Sequence, residues 1–232
     1  MKTIFKLVII ALVFSVVTYA SENQPNKKQN SESPVAVVMK VVKDVSMKKE
    51  GAEWATAKIG QSLKTGDEVK TGDKSLALIK FTDNSLIRVR ENSSLKIYAD
   101  KVDKSVSKNT YIERGRVGFE VAKQENEEFK FTTPTMVASI RGTEGFFDVF
   151  PDGGSMLVVA RGLIEVLGTL GNKDGGNVGA GQYVMYNNNG DMTLGNATEG
   201  MMNTQRGTQS TNLKRIKIQT NQGELIIEYY AD

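Results

Sequence analysis

Apolar residues in this chain fall in short runs with a period of two, and the runs are broken by Gly, Asp and Asn. The stretch from Gly60 to Ile97 sets the pattern. Two turns, Gly66-Asp67 and Gly72-Asp73, bracket Val69, after which Ala77, Ile79 and Phe81 share one face of an extended segment while Leu76 and Leu78 share the other. Such alternation is the signature of a strand, here with both faces partly covered. Asp83-Asn84 supplies a turn, because both residues tolerate left-handed backbone. The chain returns through Ser85 to Arg90, with Ile87 and Val89 on a dry face and Arg88 and Arg90 on a wet one. A second turn, Glu91 to Ser94, leads to Leu95, Ile97 and Ala99. These segments predict a three-stranded meander.

The same grammar continues on both sides. Val35 to Val45 is valine-rich, and Val35, Val37, Met39, Val41 and Val45 are expected on one face. Lys48 to Gly51 reads as a turn, with Trp54 to Ile59 returning. Asp100 to Asn109 is a charged loop in this reading, and Thr110–Glu113 pairs with Arg116–Ala122 across an Arg114-Gly115 turn. Gln124 to Glu128 is acidic and exposed. Phe129 and Phe131 alternate with Lys and Thr up to Thr133-Pro134, where proline ends ladder pairing. Pro151 to Gly154 is a hairpin turn between strands ending and starting at Phe150 and Met156. Leu163–Leu167 follows, then a glycine-rich loop from Gly168 to Gly179, and a strand from Tyr183 to Tyr186.

Residues 194–212 contain few large apolar side chains and read as a linker or long loop. Residues 213–232 read as a C-terminal hairpin turning at Asn221-Gln222-Gly223. No stretch after residue 20 sustains apolar residues at i, i+3, i+4 and i+7, so no helix is expected. The fold class is therefore all-β: a twisted, β-solenoid-like stack of short antiparallel strands, with a β-sandwich as the alternative.

Residues 1–20 change the picture of where the chain acts. Lys2 and Lys6 precede an apolar run from Leu7 to Val17, and Thr18-Tyr19-Ala20 ends in a small residue, the arrangement of a secretory signal peptide. The run is shorter than the roughly 20 residues of a membrane-spanning helix. Residues 21–34, polar with two prolines, form a disordered tether to a domain at 35–193. The net charge of +3 over 232 residues includes Lys2 and Lys6, and falls to +1 without them, which gives no argument for nucleic acid.

There is no cysteine and no histidine. Disulfides, thiolate metal sites and a histidine-based triad are excluded, and no Gly-x-Ser-x-Gly elbow occurs. The glycines of 168–179 feed a strand where a phosphate loop needs a helix. Asp152-Gly153-Gly154 and Asp174-Gly175-Gly176 have the composition of calcium-binding turns, but set up no repeat period and read as plain turns. Asp67, Asp73 and Asp83 read likewise. Trp54, Tyr183, Tyr186, Tyr229 and Tyr230 could serve as glycan platforms but are ordinary strand-edge residues, and Arg88 and Arg90 mark a solvated face. No catalytic, cofactor-binding or metal-ligating residue is assigned, and no particular binding residue is singled out.

One ordered set of motifs goes further. Gly66-Asp67, Val69, Thr71-Gly72, Ser75, Ala77, Ile79, Phe81, Asp83, Ser85, Ile87, Val89, Ser93, Leu95 and Ile97 lead to Glu113-Arg114-Gly115-Arg116-Val117, Thr132-Thr133-Pro134, Ile140-Arg141-Gly142-Thr143, Ala160-Arg161-Gly162 with Ile164 and Val166, and Ala180-Gly181-Gln182. In this order they resemble the FecR domain, over about residues 35 to 186. In the family pattern the Gly-Thr step precedes an aromatic and a valine, whereas here Gly145 and Phe146 look inserted, and a bulge would absorb them.

The resemblance implies a twisted all-β module in envelope signalling, where such proteins sense an occupied outer-membrane receptor and control a sigma factor from a cytoplasmic segment. Only Met1 to Lys6 precede the apolar run, too little to hold a sigma factor. The expectation is an exported, non-enzymatic FecR-domain protein, periplasmic or secreted, with no membrane span after signal cleavage. It would act as a protein-binding or signalling-related module with an envelope protein as partner, docking through free strand edges and the C-terminal hairpin. A surface-exposed, adhesin-like module binding glycan or host material is the alternative, and a carboxylate-based hydrolase a third reading.

Overall fold

The computed structural model describes residues 33–102, 105–123, 129–210, 213–220 and 223–230. The expected signal peptide, nearly all of the tether, the acidic segment 124–128 and the hairpin turn at 221–222 lie outside them. Short alternating runs become short strands: β1 (Ala36–Val42), β2 (Val45–Lys48), β3 (Trp54–Thr56), β4 (Ser62–Leu63), β5 (Glu68–Thr71), β6 (Leu76–Phe81), β7 (Leu86–Val89) and β8 (Ser94–Val102), then the long β9 (Ser105–Glu120). The second half holds β10 (Phe129–Thr132), β11 (Met136–Ile140), β12 (Glu144–Val149), β13 (Ser155–Arg161), β14 (Leu163–Gly168), β15 (Gly175–Gly179), β16 (Gln182–Tyr186) and β17 (Met192–Asn196). Helix α1 (Glu199–Gln209) follows, and β18 (Leu213–Thr220) pairs with β19 (Gly223–Tyr230) as a separate two-stranded ladder.

The all-β class holds, and the strands stack into two ladders that meet in one strand. The first runs β4-β1-β6-β7-β9-β12-β13-β16-β17. The second runs β3-β2-β5-β8-β9-β10-β11-β14-β15. Both grow largely in chain order, and β9 belongs to both, its first part in the second ladder and its last six residues in the first. Pairing is antiparallel apart from β9 with β10, which is parallel. One hydrophobic cluster takes side chains from both ladders, so they face each other across a shared core. A run of rings marks that core: Phe119 and Phe147 from the first ladder lie 5.1 and 5.0 Å from Phe131 of the second, and Phe131 continues through Phe129 at 5.2 Å to Phe81 at 5.0 Å. Aromatic pairs at such distances add to the large apolar area each ring buries.

Four local expectations are corrected. Val35 to Val45 is not one strand, because Lys43 takes a φ of 56° and sends Val45 into the other ladder. Within β1 the buried residues are Ala36 and Val38, and Met39 is 47% exposed beside a register shift between Val38 and Lys40. The predicted meander is a β6–β7 hairpin only, since β8 joins β5 and β9 in the second ladder. Arg114-Gly115 is not a hairpin turn; β9 runs straight through it from ladder to ladder. Three further segments differ as well: Asp100 to Asn109 is no loop but carries the end of β8 and the start of β9, β15 is a strand inside the glycine-rich loop, and residues 194–212 carry the end of β17 and all of α1.

Backbone groups freed where the chain changes ladder find buried hydroxyls, which removes the cost of leaving them unpaired. Ser93 Oγ accepts from the Arg116 amide at 2.9 Å and donates to Arg116 O at 3.1 Å, clamping the β9 crossing. The Ser93 amide in turn donates to Thr71 Oγ1 at 3.1 Å. Ser75 Oγ accepts from the Asp44 amide at 3.0 Å, and Ser85 Oγ from the Ala122 amide at 3.1 Å. A buried ion pair also joins the layers: Lys108 Nζ of β9 lies 3.1 Å from Asp83 Oδ2 of the β6–β7 turn.

Gly115 has a φ of 83°, and a Cβ there would stand 2.7 Å from Ser93 Cα, against backbone that cannot yield. Gly115→Ala is expected to cost about 2–5 kcal/mol, left-handed strain plus overpacking. Gly153→Ala, at a φ of 89° with open space around it, should cost only the strain, about 1–2 kcal/mol. Urea unfolding of the two variants separates the terms.

Tyr186 is fully buried and its hydroxyl donates to Asp174 O at 2.7 Å. Burial, and then the Asp174 charge, raise its pKa above the usual phenol value. The unfolded chain therefore ionises first, so this contribution is complete below about pH 10 and is lost as pH rises through the folded-state pKa. Alkaline unfolding of Tyr186→Phe should show a shallower loss, with about 1 kcal/mol less stability at neutral pH.

Candidate docking groove

The β9 crossing leaves a gap on the outside of the molecule. Four segments converge there: Arg90–Asn92 after β7, Glu113–Arg116 of β9, Asp148–Gly153 at the β12–β13 turn, and Thr204, Gly207 and Thr208 of α1. They enclose a groove of about 830 Å³. Val149, Phe150 and Pro151 give it an apolar wall. Its charges are held in place by partners. The Arg116 guanidinium clamps Asp148, with Nε at 3.1 Å and Nη2 closer, and lies 5.6 Å from the centre of the Phe146 ring. Glu113 accepts from Ser94 Oγ at 2.8 Å, Glu91 accepts from the Lys74 amide at 2.8 Å, and Arg90 Nη1 donates to Ser210 O at 2.5 Å. Arg114 is exposed at the rim.

Helix α1 forms one side of the groove. Thr198 caps its N-terminus by accepting from the Met201 amide at 3.3 Å, Glu199 sits in the first turn and Arg206 in the last, all favourable to the helix dipole. The residues it buries are Gln205 and Thr208, so polar contacts seat it on the first ladder. Gln205 Nε2 donates to Glu144 Oε1 at 3.0 Å. Gln209 Nε2 lies 3.4 Å from Phe119 O and 3.3 Å from Gly145 O. The methyl of Thr208 sits over Gly118, where a Cβ would be 2.5 Å from it. The β12–β13 ladder slips register between Glu144 and Gly145, but the extra residue is Ala160 of β13, and β12 pairs with β9 without a shift, so the bulge expected at Gly145 and Phe146 is not in β12. A Cβ on Gly145 would collide with Val158 O and come within 2.9 Å of the Phe119 ring.

The residues considered from sequence fall elsewhere. Arg88 is nearly covered and reaches Glu120 at 3.7 Å, and Arg90 donates to Ser210 O at the end of α1, so the two do not form the solvated face read from their alternation. The ring of Trp54 has Lys70 Nζ at 4.1 Å and Lys48 Nζ at 5.9 Å. Tyr183 packs over Gly195 and Tyr186 is internal, while the side chains of Tyr229 and Tyr230 lie outside the described residues. Asp67, Asp83 and Asp152 accept from the nearby amides of Lys64, Ser85 and Gly154 at 2.9 Å each, as turn residues do. Among the described residues no three or more Asp and Glu side chains are grouped to hold a metal, and no helix is long and apolar enough to cross a membrane. The groove itself was not foreseen, because it depends on α1 and on β9 crossing at Arg114-Gly115. The signal for α1 was Thr198-Glu199 with Gln205 and Gln209 one turn apart.

The family model for the FecR protein matches residues 67–165. Over these residues the chain is similar to the FecR protein family. The match supplies three of the groove's four segments, all but α1. Two crystal structures of a candidate anti-sigma factor from Parabacteroides distasonis, at 2.50 and 1.65 Å resolution, share the fold of this chain. The first has a TM-score of 0.52 at 15% identity, over 64% of this chain and 67% of that one. The second has a TM-score of 0.51 at 13% identity, over 65% and 68%. No match is found among curated proteins.

Gln209→Ala removes the donor facing two ladder carbonyls and should cost about 1–2 kcal/mol. Its readout is faster amide exchange in α1, with the β6–β7 hairpin unchanged. Gly145→Ala, by contrast, should destabilise the whole domain in urea, by about 3 kcal/mol or more.

Proposed function

We propose that this chain is an exported, non-catalytic FecR-domain module of the bacterial cell envelope that takes a segment of a partner protein into the groove at the β9 crossing. The observation that carries the reading is the groove's make-up: an apolar wall of Val149, Phe150 and Pro151 beside carboxylates already engaged by Arg116, Ser94 and the Lys74 amide. A wall of this kind takes an apolar anchor, and a rim of fixed opposite charges selects orientation. The FecR match and the anti-sigma description of the structural relatives support a place in envelope signalling. Lysines over Trp54 and the packing of Tyr183 and Tyr186 leave those rings poor glycan platforms, which favours a protein partner over the adhesin reading.

The test is site-specific crosslinking in intact cells. A photoreactive residue at position 114, on the groove rim, should give a discrete protein adduct in the envelope fraction. The same residue at position 39, exposed on β1, should give none. Equal adducts at both positions, or recovery of the chain only in the cytosol, would contradict the proposal.

A further inference from the structure

The groove does not end at Glu113. A smaller recess of about 210 Å³ adjoins it on the outer face of the second ladder, and Glu113 lines both. Strand alternation builds this recess. In β8 the buried Leu95 and Ile97 face the core, so Ser94, Lys96 and Tyr98 face out; in β5 Val69 faces in and Glu68 out; in β9 Ile112 faces in and Tyr111 out. The β8–β9 ladder shifts register between Ser94 and Leu95, which leaves Glu113 as the extra residue of β9. A bulge re-aims its side chain, here to the wall between recess and groove.

The lining sets two carboxylates against one ammonium. Lys96 Nζ lies 3.7 Å from Glu68 Oε1 and 5.4 Å from the centre of the Tyr98 ring, and Lys48 Nζ also reaches Glu68 at 3.7 Å. Glu68 and Tyr98 are therefore served from within the chain. Glu113 is not. Among the described residues its carboxylate has Ser94 Oγ as its partner, at 2.8 Å, a hydroxyl that fixes the group without neutralising it. Arg114, the next residue, lines the groove and not the recess. Among the described residues no cation stands over the Tyr111 ring. Tyr111 and Glu113 thus offer an incoming cation an aromatic face and an ionised oxygen on one side of one strand.

We propose that the segment taken into the groove carries a lysine or arginine that enters this recess, its charge against Glu113 and its stem along the Tyr111 ring. The inference rests on the groove reading and adds the chemistry of the occupant. Register sets the spacing. Gly115 pairs with Val149 of the apolar wall, and Glu113 and Tyr111 stand before it along β9, at about 7 and 13 Å of extended chain. In an extended partner segment running along β9, the basic residue is then about two to four positions from the residue that packs on Val149, Phe150 and Pro151.

Selection of random displayed peptides on the purified full chain tests this. Enriched peptides should share a large apolar residue with a lysine or arginine about two to four positions away. A synthetic peptide of the enriched sequence should bind Glu113→Gln about tenfold more weakly, since glutamine keeps an acceptor for Ser94 and removes the charge. Tyr111→Leu should weaken binding about threefold. Replacing the peptide's basic residue by glutamine should cost about tenfold with the unaltered chain and nothing further with Glu113→Gln, the mark of a direct pair. Enrichment of apolar peptides without a basic residue, or equal binding to Glu113→Gln, would overturn this inference and leave the groove reading standing. No enrichment, or binding that Phe150→Ser leaves untouched, would overturn the groove reading and this inference with it.

Discussion

A single strand that belongs to two sheets is the constraint from which this architecture follows. β9 supplies Ile112 and its neighbours to one ladder and Val117 and Phe119 to the other, so both layers are fixed relative to each other by covalent backbone. The crossing requires a left-handed residue, tight against Ser93, and glycine meets both demands. Hydroxyls of Ser93 and Thr71 then occupy the places that ladder bonds would have filled. Packing follows from this geometry. Phe119 can stack with Phe131 only because β9 has already delivered it to the layer opposite β10.

Sequence alternation was a good guide to faces and a poor guide to layers. Ile79, Phe81, Ile87, Val89, Leu95 and Ile97 are all buried as their spacing requires, yet the same spacing cannot say which ladder a strand joins, and β8 lies beside β5 and β9, away from β7. An Arg-Gly pair with left-handed glycine reads alike whether the chain reverses or crosses over. Valines on both parities of β1 hid its register, which Ala36 and Val38 decide. The bulge expected at Gly145 and Phe146 falls instead on the neighbouring strand, where Ala160 of β13 is the extra residue, because β12 is held in step by β9 on its other side.

Helix α1 escaped for a different reason. Periodicity detects helices that bury apolar stripes, and this one buries Gln205 and Thr208. It is stable where it lies because the ladder beneath has polar needs of its own, namely the carboxylate of Glu144 and the carbonyls near the bulge. The groove inherits this dependence. Three of its walls come from the FecR match and the fourth from a helix beyond it, so its depth is set by contacts that the family pattern does not encode.

A stack that grows in chain order must also end somewhere, and its last rung is a place of unmet backbone bonding. Short strands make the first rung harmless, but β15 ends the second ladder at full length. Helix α1 does not protect that edge, since it lies across β9, β12 and β13 of the first ladder. Glycines at 175, 176 and 179 make the edge bare as well as open, and a bare strand between exposed leucines and water gains more from an added strand than from solvent. The same progression that builds the core therefore leaves one surface suited to continuing it.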